Sequence, residues 1–153
     1  MKNILPVGTA FLLLFLAPAA AVQFTLPGPT QIIQAEFGLF NRPETGKPLF
    51  VPSKIVPLAE GQGYGWVMQL RTIKTKIRWK EVFTLPSAPI TWSADKSQIS
   101  QDRRVSVTEK EVAPQDGMIY NSWSVASGDP KGRYVIRVIV ENHLERVFEF
   151  DVQ

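Results

Sequence analysis

The chain has 153 residues, with 17 Lys and Arg against 14 Asp and Glu, one His and no Cys, for a formal net charge of +3 at pH 7. The lack of cysteine excludes disulfides, thiolate metal ligation, a cysteine nucleophile and a lipid-modified cysteine. So weak a basic excess does not by itself indicate a polyanionic partner, and nucleic acid is not expected as one.

Lys2, the apolar run Phe11-Leu12-Leu13-Leu14-Phe15-Leu16 and the small residues Ala17-Pro18-Ala19-Ala20-Ala21 have the layout of a secretory signal peptide over residues 1–21. Cleavage is expected after Ala21, with Ala19 as the other small-residue site. The apolar run is too short to anchor in a bilayer, and no second long one follows it. The expectation is therefore an exported chain starting near Val22, periplasmic or secreted, soluble and without a transmembrane anchor. Residues 22–31, with Pro27-Gly28-Pro29, read as a flexible lead, and residues 32–153 as one domain.

Proline and glycine punctuate that domain at short intervals, which is the pattern of an all-β fold with many turns. A first strand is predicted over residues 32–40. Residues 41–57 hold Pro43, Pro48, Pro52 and Pro57 and admit at most a short edge strand. After Gly61-Gln62-Gly63-Tyr64-Gly65, the residues Tyr64, Trp66, Met68 and Leu70 share one face of an alternating strand. Residues 74–85 alternate again, with Ile77, Trp79, Phe83 and Leu85 on one face and Lys74, Lys76, Arg78 and Lys80 on the other. Glu81 interrupts the apolar face. A buried lone carboxylate is costly, so pairing with an arginine, exposure at a bulge or a functional perturbation is expected for it.

Further strands are predicted at Ile90-Thr91-Trp92, over residues 104–112 and over residues 118–125, with a turn at Pro114-Gln115-Asp116-Gly117. No apolar spacing of three and four persists, so any helix beyond the signal peptide is expected to be a single turn at a crossover. Near the end, Tyr134, Ile136, Val138 and Val140 alternate with Arg133, Val135, Arg137 and Ile139, and Phe148, Phe150 and Val152 alternate with Val147, Glu149 and Asp151. An odd-numbered loop or a bulge near Asn142-His143, pairing Val138 with Phe148 and Ile136 with Phe150, would put both apolar faces on one core.

Gly128-Asp129-Pro130-Lys131-Gly132-Arg133-Tyr134-Val135-Ile136 is similar to the approach into the penultimate strand of immunoglobulin-like domains, with one residue more between Asp129 and Gly132. The resemblance implies a tyrosine corner at Tyr134, a hydrophobic Ile136 where disulfide-bonded members carry Cys, and Trp79 as the core tryptophan of the opposite sheet. The mature chain also resembles a bacterial family of small exported proteins classed as a domain of unknown function, mainly over residues 79–92 and 121–152. The resemblance implies a fold and no activity. The expected architecture is an immunoglobulin-like antiparallel β-sandwich of seven to nine strands.

Chemistry is sparse. His143, the one histidine, falls in a predicted turn; without Cys it cannot build a structural zinc site, and Met68, needed with Met118 for copper, belongs to an apolar face. No glycine-flanked serine forms a nucleophile elbow, and Gly61-Gln62-Gly63-Tyr64-Gly65 runs into a strand rather than a phosphate-binding helix. Glu109 and Glu111 share a strand face beside Asp116, with nothing to place them across a cleft. No metal, cofactor or catalytic residue is therefore expected.

Two binding surfaces stand out. The row Lys74, Lys76, Arg78, Lys80 is suited to an anionic envelope component, although such a row also serves as an ordinary solvent face that Glu109 and Glu111 neutralise. Tyr64, Trp66, Trp92, Tyr120 and Trp123 offer sugar-stacking surfaces. The leading expectation is a non-enzymatic exported module that binds a protein or an envelope component through end loops or a sheet edge. A carbohydrate-binding module is the alternative, and an enzyme of undefined type the third.

Overall fold

The computed structural model describes residues 29–41, 49–96 and 98–153. The expected signal peptide, most of the lead at residues 22–31, Pro43 and Pro48 lie outside the described residues.

Among the described residues there are nine strands: β1 (Gln31–Asn41), β2 (Leu49–Pro52), β3 (Ile55–Val56), β4 (Gly63–Arg71), β5 (Ile77–Thr84), β6 (Val105–Val112), β7 (Met118–Ser124), β8 (Gly132–Val140) and β9 (Leu144–Val152). They form a four-stranded sheet in the order β2-β1-β4-β7 and a five-stranded sheet in the order β3-β9-β8-β5-β6. Every pairing is antiparallel except that of β3 with β9. The architecture is a β-sandwich, as the alternation implies, and among the described residues its crossovers are turns and bends without a helix.

Period two decides which side chains are buried. Tyr64, Trp66, Met68 and Leu70 face inward from β4, and Ile77, Trp79, Glu81 and Phe83 from β5. Phe37 stacks on Phe150 with ring centroids 4.1 Å apart, and Trp66 meets Trp79 edge-on at 5.2 Å. Burial of one ring such as Phe83 or Phe150 contributes roughly 2–3 kcal/mol, so these inward faces carry most of the fold's stability.

Four local expectations need correction. Residues 41–57, expected to hold at most one short edge strand, carry two, β2 at the edge of one sheet and β3 at the edge of the other. Ile90-Thr91-Trp92 is a turn, not a strand; it lies just beyond Pro86 and Pro89, and both edges of β5 are already taken by β6 and β8. β5 starts at Ile77 rather than at Lys74, because the Lys74 amide is held by Thr72 Oγ1 at 3.1 Å instead of joining a ladder. The β8–β9 loop is odd, as parity requires, but its three residues Glu141, Asn142 and His143 set Ile136 opposite Phe148 and Tyr134 opposite Phe150. The register is two residues tighter than expected. Glu141 and Asn142 adopt φ of 52° and 63°, which closes the turn in three residues, and a shift of two leaves every side chain on its predicted face.

Tyr134 forms the tyrosine corner, its hydroxyl donating to the Pro130 carbonyl at 2.7 Å. Ile136 is fully buried, as is Trp79. The two flanks of the sandwich differ. On one, the chain leaves β2 and within two residues enters β3 in the opposite sheet, so Ser53 and Lys54 stitch the flank shut. On the other, β5 lies beneath β4 and β7, and among the described residues no strand lies above β6.

Candidate functional site

Glu81 is fully buried in a continuous stretch of ladder. It is therefore neither exposed at a bulge nor paired with arginine. Its carboxylate accepts from Trp66 Nε1 at 2.5 Å, from Trp123 Nε1 at 2.8 Å and from Asn121 Nδ2 at 3.1 and 3.2 Å. Neutral dipoles thus replace its hydration, which offsets the desolvation cost. Asn121 Oδ1 in turn accepts from Lys110 Nζ at 3.3 Å, so one amide links the buried anion to a cation at the rim. Sequence reasoning noticed Glu81 but missed these partners. Nearby, burial first and then the Asp129 charge hold the Tyr64 hydroxyl well above the ordinary tyrosine range.

The expected basic row is divided between strand and loop. Arg78 and Lys80 lie on the outer face of β5, while Lys74 and Lys76 precede it. Lys80 pairs with Glu109 at 3.1 Å, Lys76 and Arg78 with Glu111 at 3.3 and 3.7 Å, and Lys74 with Glu141. Carboxylates from β6 and the β8–β9 turn therefore interleave the row. Exposed pairs of this kind contribute little stability, roughly 0–1 kcal/mol each, but they cancel most of the row's field.

The aromatic set also separates. Tyr64 and Trp66 are core residues and offer no surface to a sugar ring, which corrects that expectation. Their partners on the inward face of β4 are apolar, and alternation leaves them nowhere else to point. Trp92 and Trp123 are half-buried against Phe83, their planes 46° apart. Tyr120 is exposed on the outer face of the four-stranded sheet, its ring 6.2 Å from that of Phe40. β1, which carries Phe40, and β7, which carries Tyr120, both flank β4, so the two rings approach each other across that strand.

His143 sits in the turn, its Nδ1 2.6 Å from the Glu141 carbonyl oxygen. Among the described residues no three His, Cys, Asp or Glu side chains converge to hold a metal.

The most distinctive surface is an edge. β7, with the sequence MIYNSWS, has neither charge nor proline. Leu70 N donates to Gly117 O and Val125 N to Gln62 O, which sets the phase of the β4–β7 ladder. The amides of Ile119, Asn121 and Trp123 therefore point at β4, and those of Tyr120 and Ser122 point away from the sheet. The other edges are blunted in the usual ways. Gln98 and Ser100 cover the start of β6, whose remainder carries Glu109 and Glu111; β2 is short and ends in Pro52; β3 has two residues. Beside β7, between it and β6, runs a groove of about 390 Å³ lined by Trp79, Lys110, Val112, Met118, Asn121 and Ser122 among others.

The model of the family described as PM0630 beta sandwich domain matches residues 35–153. An immunoglobulin-like protein from Pseudomonas aeruginosa is similar in structure, with a TM-score of 0.58 at 16% identity over 83% of this chain and 98% of that one. That likeness shows an immunoglobulin-like fold. Weaker similarity extends to part of a Pseudomonas fluorescens alkylpurine DNA glycosylase, with a TM-score of 0.39 at 12% identity over 78% of this chain and 30% of that one. It extends also to part of a Listeria innocua β-glucosidase, with a TM-score of 0.36 at 14% identity over 78% and 16%. No curated protein matches the chain.

Proposed function

This chain belongs to the PM0630 beta sandwich domain family, and for this member we propose the role of an exported, non-catalytic binding module that takes an extended segment of a protein partner as an added strand on β7. The observation that carries the reading is the β7 edge, seven residues without charge or proline that no other strand pairs among the described residues, in a sandwich whose other edges are covered, short or charged. Main-chain hydrogen bonding along such an edge supplies affinity, and side-chain pockets supply selectivity. The overhang of β6 supports it as well, because a strand beside β7 would complete the upper layer above β6.

The test is selection of displayed random peptides on the mature chain, repeated with Ser122→Pro. The proline removes one outward amide and leaves the bonds to β4 intact, since the Ser122 amide points away from that strand. Peptides are expected to bind the wild type and not the variant. Equal binding by both would exclude the edge. A wild-type dimer that Ser122→Pro dissociates would make the occupant a second copy and overturn the reading.

A further inference from the structure

Resting on that reading, we infer that the segment added to β7 carries an acidic side chain at an inward-facing position, where it pairs with Lys110. Inward positions on β6 follow from its register with β5: Ser106, Thr108, Lys110 and Val112 stand opposite Phe83, Glu81, Trp79 and Ile77. A strand beside β7 lies above β6, so alternate side chains of that strand point down onto this row.

Lys110 differs from its neighbours on the strand. Glu109 and Glu111 face outward and pair with Lys80, Lys76 and Arg78. Lys110 turns inward at the groove rim, bonds the neutral Asn121 Oδ1 and lies 5.4 Å from the centre of the Trp79 ring, with no carboxylate within 4.0 Å among the described residues. Glu81, the nearest buried anion, is already saturated by indoles and an amide. Trp79 forms part of the same groove, and its Nε1 is the one buried side-chain nitrogen or oxygen without a partner among the described residues. An exposed cation at the groove rim beside an indole face, with Val112 and Thr108 one register step to either side, selects an Asp or Glu flanked at alternate positions by small or apolar residues.

The peptides selected above test this by their sequences, with Lys110→Glu as the second bait. The wild type is expected to enrich Asp or Glu at one position, and Lys110→Glu to enrich Lys or Arg there. Replacing the acid of a selected peptide by its amide should weaken binding by at least about tenfold. Peptides lost with Ser122→Pro but indifferent to Lys110→Glu would overturn the acidic requirement and leave the edge reading standing. Peptides that still bind Ser122→Pro, or no selected peptide at all, would overturn both. N-methylation of alternate peptide amides gives the edge readout independently of whether the proline variant folds: only one of the two alternating sets should abolish binding.

Discussion

Trp123 of the four-stranded sheet donates its indole N–H to the Glu81 carboxylate of the five-stranded sheet at 2.8 Å. With Trp66 and Asn121 it makes the carboxylate a polar pin through a largely apolar core. Truncation orphans two indole donors and an amide and opens a cavity. Glu81→Ala should therefore cost about 3–5 kcal/mol. Glu81→Gln, which keeps one acceptor but sets an amide N–H against an indole N–H, should cost about 1–3 kcal/mol. Urea unfolding midpoints measure both, and a Glu81→Ala loss below about 0.5 kcal/mol would refute the pin.

The corner at Tyr134 ties β8 to the loop before it through one bond to Pro130. Burial, followed by the Asp129 charge, raises the pKa of its hydroxyl, so it stays protonated and able to donate through neutral and moderately alkaline pH. Tyr134→Phe removes the donor while keeping the ring, and a loss of about 1 kcal/mol is expected. An unchanged thermal midpoint would mean that the corner bond has no net worth here.

Glu141 supplies a pH signature. The Lys74 hydrogen bond first, and the Arg78 amide second, hold its pKa below the ordinary 4.5. A carboxyl lowered in the folded state contributes stability that is present above its unfolded value and is lost as pH falls through its folded value. Glu141→Gln should therefore destabilise the protein near neutrality and flatten the acid limb of its stability curve below about pH 4.5. Parallel curves for the two proteins across that window would rule out the linkage.

Gly65 is fixed by close approach. A Cβ there would stand 2.1 Å from the Asn121 carbonyl oxygen and 2.9 Å from Ser122 Cα, both backbone atoms of β7. Gly65→Ala must push β7 off β4, at about 1–3 kcal/mol or more. Because β7 also carries two of the ligands of Glu81, it should in addition alter the emission of Trp123. Wild-type stability with unchanged emission would show that the strands yield without cost.

Most strand positions were legible because alternation is a local signal; Ile90-Thr91-Trp92 was too short to carry one and read wrongly as a strand. Loop parity at Asn142 was legible for the same reason, but register was not, since a shift of two leaves every face unchanged. The partners of Glu81 lie 15, 40 and 42 residues away on two other strands, where no local pattern points to them. The lysine row was visible, whereas its neutralisation depended on which strand became the neighbour of β5. The burial of Tyr64 and Trp66 was within reach: their parity with Met68 and Leu70 already placed them inside. The β7 edge was out of reach, because strand order is set by pairings across the whole domain.

The stitched flank at Ser53 and Lys54 has a consequence for stoichiometry. A β-layer open on both sides can recruit neighbours indefinitely, as fibrils do. Here one side is closed by the chain itself, which among the described residues leaves the β7 side as the open one. With a strand added on β7 as proposed, such a domain would end a row of strands one-to-one rather than propagate it.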